Sequence, residues 1–152
     1  MSAYISVYIR PSPNAPYIEL DAWSRSSRLF QVFDDYVSYG KYVQLTAEML
    51  TAAVYDLRDE IASFERLIQA HKSNIEFLAQ LAVKNSEELD VLMARRSEEC
   101  EAIDGLNDDI EELQYTKHCC EVLQSFLENQ FYKTDSTVQY FLAYECDPNA
   151  EN

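Results

Sequence analysis

Arg25 and Arg28 flank Ser26 and Ser27 just after Trp23, in the run "WSRSSR", although the 152-residue chain has a net charge of −15. Two guanidinium forks beside serine hydroxyls and the free N–H groups of a helix start can hold a phosphate. An indole alongside them can stack on a base. The candidate anion-binding set is therefore Trp23, Arg25, Ser26 and Arg28. In the competing structural reading, Ser24 or Ser26 (or else Ser27) caps a short helix, and the arginines tie down Asp34, Asp35 or acids further along the chain.

A second set is Asp108, Asp109, Glu111 and Glu112, in a region of high negative charge. Residues 86–130 contain thirteen acids against Arg95, Arg96 and Lys117, whereas residues 1–45 are neutral. Carboxylates spread over a helix surface repel phosphate, so direct nucleic-acid binding is not expected. They attract a protein with a basic surface instead. Their density, one charge per about 5 Å of helix axis against about 1.7 Å in duplex DNA, is too low for one chain to imitate the duplex.

Other chemistries find little support. His118, Cys119 and Cys120 are consecutive, and residues about 100° apart on a helix diverge from a common tetrahedral ion. With two histidines, no Cys-x-x-Cys pair and no Gly-rich phosphate loop, neither a metal centre, a cofactor nor a catalytic triad is expected, and the chain reads as non-enzymatic. His71 reads as a packed or interhelical hydrogen-bonded residue. The four cysteines lack the spacing of a disulfide framework and read as reduced thiols.

The elements that must position these residues follow from periodicity. "AYISVYI" alternates with period two, Ile5, Val7 and Ile9 on one face and Tyr4, Ser6 and Tyr8 on the other, which predicts a strand. "RPSPNAP" breaks it, and "YIELDAW" resumes it with Ile18 and Leu20 on one face, so an antiparallel hairpin is expected. Gly40 marks a break in the tyrosine-rich "DYVSYGKYV". From Thr46, a helix start, Leu50, Val54, Leu57, Ile61, Phe64, Ile68, His71, Ile75, Leu78 and Ala82 keep a 4-3 spacing that predicts a coiled-coil seam. A weaker seam follows through Leu89, Leu92, Ile103, Leu106, Ile110, Leu113, Cys120 and Leu127, interrupted by Arg96, Glu99, Lys117 and Gln124. "STVQYFLAYEC" returns to period two.

The expected fold is α+β in a single domain: a small antiparallel β head (residues 1–45 and 132–147) on a long antiparallel helical hairpin (46–131) that turns near 84–87. Asn85 and Glu88 resemble a capping box there. A lone hairpin is marginal in water, so the C-terminal strand is expected to join it. The tyrosines of the head, Tyr36, Tyr39 and Tyr42 among them, suit partner recognition. Apolar positions outside the seams (Leu67, Leu81, Met93 and Phe126) suggest a homodimer. No apolar run approaches the length of a membrane span, so a cytoplasmic location is expected, the host cytoplasm included. The functional expectation is a protein-binding module of phage type, acting on a host nuclease or another defence protein. Sequestration of a nucleotide-like ligand through Arg25 and Arg28, or service as a coiled-coil adaptor, are the alternatives.

Overall fold

The computed structural model describes residues 2–131 and 138–147. The beginning of the expected C-terminal strand segment, before Val138, and the residues after Asp147 lie outside them.

Period-two alternation produces strands β1 (Ser2–Arg10) and β2 (Ile18–Ser24), followed by helix α1 (Arg28–Phe33) and a single 3-10 turn. A short strand β3 (Tyr42–Gln44) precedes two long helices, α2 (Ala47–Lys84) and α3 (Leu89–Phe131), and β4 (Gln139–Asp147) follows. The fold is α+β, with a four-stranded antiparallel sheet in the order β2-β1-β4-β3. β1 is central and pairs with both β2 and β4, so the C-terminal strand does complete the hairpin. Two compact units are present: Met1–Tyr55 with Thr116–Asn152, and Asp56–Tyr115.

In the first unit, one sheet face carries Ile5, Val7 and Leu142, all essentially inaccessible, and Trp23 and Tyr140 beside them. Leu29, Phe30 and Phe33 of α1 are buried too, with Phe33 stacked on Trp23 (5.5 Å between centroids) and Phe30 against Tyr144 (6.0 Å). Leu45, just before α2, and Leu50, Val54, Cys120 and Leu123 of the adjoining helix ends are buried as well. The alternation expected of Ile18 and Leu20 does not hold. A bulge sets Asp21 opposite Val7 and Glu19 opposite Tyr8, leaving Leu20 as the extra residue. Both apolar side chains are about half exposed on this edge strand, at 50% and 49%.

β3 was not anticipated, since three residues are too few to show a period. Gly40, at φ +79°, allows the chain to turn into it, and Leu45 N–H donates to the Tyr140 carbonyl at 2.8 Å just after it. Thr46 then caps α2, its hydroxyl accepting from Met49 N–H at 3.3 Å.

The α2 seam is observed throughout, each of its ten positions being buried or half-buried. The helices run antiparallel. In the first unit Gln124 donates to Thr51 at 3.2 Å, and in the second His71 Nδ1 meets Glu99 at 2.5 Å. The α3 seam shifts from expectation: Thr116 and Leu123 are buried and Lys117 and Gln124 only half-buried, because the spacing makes a 3-3 step through Ile110, Leu113 and Thr116. Arg96 is exposed, and so is Leu89. The turn falls between Lys84 and Leu89, as the spacing required, but the capping box does not form. Asn85 Nδ2 instead reaches back to the Leu81 carbonyl at 3.3 Å, finishing α2 rather than starting α3. No helix among the described residues is long and apolar enough to cross a membrane.

Candidate interaction surfaces

At the junction of residues 22–33 a serine does cap the short helix, as the structural reading expects. Ser27, not Ser24 or Ser26, caps α1, its hydroxyl accepting from Leu29 N–H at 3.2 Å. The Ser24 and Ser26 hydroxyls pair with each other at 3.0 Å. Trp23 is buried against Phe33 and its indole N–H donates to Asp21 at 3.0 Å, so it offers no stacking surface to a base. Arg28 donates to Gln31 at 3.1 Å, while Arg25 is exposed with no ion pair among the described residues. The anion-binding set is thus dispersed: its indole belongs to the core, and one of the helix-start donors is already satisfied.

Asp108, Asp109, Glu111 and Glu112 are all exposed on α3, as are Asp104 and Glu101, about one and two turns earlier. At about 100° per residue they occupy an arc of roughly 160° on the side away from the buried Ile110 and Leu113. Their separation from the seam follows from burial, because a carboxylate in the interhelical contact would lose its hydration. Glu99 is the exception at a seam position. It is tolerated because His71 and Asn74 donate to it, and the His71 bond holds its carboxyl below the usual carboxylate range.

The head tyrosines separate. Tyr39 is 72% exposed and forms a bridge to Tyr144, Tyr36 leans on Phe33, and Tyr42 joins an assembly that sequence reasoning did not find. That assembly covers the sheet face opposite the core. Tyr17 stacks on Tyr42 at 3.9 Å and nearly parallel, Tyr8 meets both edge-on, and Phe141 meets Tyr17 edge-on at 5.2 Å. Arg10 lies over the Tyr17 ring at 4.9 Å and donates to its hydroxyl at 3.1 Å, while its Nε is buried without a partner among the described residues.

Beneath the rings, fully buried Ser6 places its hydroxyl 2.8 Å from Glu19 and 3.0 Å from Glu145, and Tyr8 donates to the second Glu145 oxygen at 2.6 Å. Burial, reinforced by Glu145, raises the Tyr8 phenol well above its ordinary value. The alternation of Tyr4, Ser6 and Tyr8 was a usable signal for this face. Its convergence with Tyr17, Tyr42, Phe141 and Glu145 depended on strand order.

Among the described residues no group of three or more His, Cys, Asp or Glu side chains is placed to hold a metal ion. No protein family, curated protein or solved structure matches this chain.

Proposed function

We propose that this chain is a non-enzymatic binding protein that engages a protein partner bearing a basic surface. The observation that carries the reading is the α3 arc of Glu101, Asp104, Asp108, Asp109, Glu111 and Glu112, all exposed on one helix surface. Such an arc steers a positively charged partner and fixes its orientation more than it raises affinity. A nuclease or another protein shaped to hold phosphate offers a surface of this kind, and covering it inhibits the enzyme. Self-association accompanies this reading, since Phe77, Val83, Val91 and Met93 near the interhelical turn are 56–86% exposed.

The test is capture of partners from lysate by the wild-type chain and by a variant carrying Asp108→Lys, Asp109→Lys, Glu111→Lys and Glu112→Lys. A basic partner retained by the wild type, released by salt and lost from the variant, supports the reading. An identical set of captured proteins for both chains overturns it.

A further inference from the structure

The open sheet face is short of hydrogen-bond donors. Ser6 has one hydroxyl proton, yet its oxygen is in hydrogen-bond range of Glu19 and of Glu145 at once. With the Tyr8 proton, two protons serve three contacts to carboxylate oxygens. An ionised carboxylate only accepts, and two of them offer about eight lone-pair sites. Among the described residues no cation pairs with Glu19 or Glu145, because the base on this face, Arg10, is directed to Tyr17.

The surrounding rings favour the same kind of occupant. Aromatic faces attract cations, and a planar guanidinium satisfies both a ring and a carboxylate. Arg10 over Tyr17 shows that a guanidinium fits this ring cluster. Tyr42 is covered on one side by Tyr17 yet remains 47% exposed on the short strand β3. Its register partner is Ala143, so Glu145 lies diagonally across from it on the same face, within reach of a long side chain. Glu19 is exposed on β2 at the other end of the carboxylate pair.

We propose that this face binds an arginine side chain of a protein partner, its guanidinium stacked on Tyr42 and its N–H donors supplied to Glu145 and Glu19. This surface is independent of the α3 arc. Ammonium groups fit less well, since they lack the plane that stacks and the fork that serves a carboxylate through two bonds.

The test follows the tyrosine ring resonances of the full chain by NMR, titrated with the blocked peptide Gly-Arg-Gly-Arg-Gly and with its lysine counterpart. The arginine peptide is expected to shift the Tyr42 and Tyr8 rings and to bind several-fold more tightly than the lysine peptide. Tyr42→Ala is expected to weaken it about fivefold, the scale of an exposed cation–π contact, whereas Tyr42→Phe retains binding. Glu145→Gln and Glu19→Gln each weaken it as well. The α3 charge-reversal variant must leave the ring shifts unchanged, which separates this site from the acidic arc. Unperturbed rings, equal affinity for both peptides, or loss of the ring shifts on α3 reversal overturns the proposal.

Discussion

Tyr8 donates its phenol proton to Glu145 at 2.6 Å, across residues 137 positions apart in the chain. This bond joins the central strand to the C-terminal strand on the open face, where their backbone pairing places Tyr8 opposite Phe141. Tyr8→Phe is expected to cost about 1.5–3 kcal/mol, the range for a hydrogen bond to a charged group. The Tyr8 phenol is raised in the fold, so its contribution is fully present below the pH at which an unfolded tyrosine ionises and is lost as pH rises beyond it. Ultraviolet titration should show one phenol ionising after the exposed ones, and that late step should disappear in Tyr8→Phe.

His71 and Glu99 meet across the helical hairpin, and the Glu99 carboxyl is held low by that bond. A depressed carboxyl stabilises the fold above its unfolded value and loses that contribution as pH falls toward its folded one. Thermal unfolding of Glu99→Gln is therefore expected to show a weaker decline on acidification than the wild type. Parallel curves for the two chains would separate Glu99 from the acid sensitivity.

Burial pushes the Cys120 thiol up to about 12, with Cys119 and Glu121 adding to the effect. A thiol that stays protonated is a poor nucleophile. Labelling of the native chain at pH 8, followed by peptide mass spectrometry, should modify Cys120 last, after the half-exposed Cys100, Cys119 and Cys146.

Ser27→Ala should destabilise the protein by about 1 kcal/mol through loss of the α1 cap. Ser24→Ala and Ser26→Ala, which remove only a hydroxyl pair at the surface, should cost distinctly less. Denaturant titration of the three variants distinguishes them, and equal losses would reassign the cap.

The two glycines should respond oppositely to alanine. Gly105 lies inside α3 with open space where a Cβ would stand, so Gly105→Ala should stabilise by about 0.5–1 kcal/mol. Gly40 has positive φ, and Gly40→Ala should destabilise despite equally open surroundings. Unfolding midpoints for both variants provide the check.

Much of the fold was legible because its elements are periodic. The 4-3 spacing of α2 could be followed from Leu50 to Ala82, and alternation placed Ile5 and Val7 on the core face. What failed to show was aperiodic. β3 has three residues, the bulge at Leu20 depends on its partner strand, and the step from Leu113 to Thr116 is a local change in how α3 faces α2. Asn85 followed by Glu88 matched a helix start, yet its side chain had a nearer acceptor in the helix that was ending. Among the site residues, the acidic run on α3 was evident from composition. Trp23 was misjudged because a tryptophan beside arginines reads equally as a platform or as core, and Phe33 decided the matter.

By itself the sequence determined the parity of β1 and β4, the two helices and their turn, and the concentration of negative charge on α3. These are local or additive properties that need no knowledge of partners. Tertiary structure decided which tyrosines meet. Tyr8, Tyr17, Tyr42 and Phe141 come from distant segments, and they converge because β4 inserts between β1 and β3 while Tyr17 follows the loop after β1. Alternation says which residues of a strand share a face. The neighbour they acquire is set by strand order and register, through contacts made across nearly the whole length of the chain.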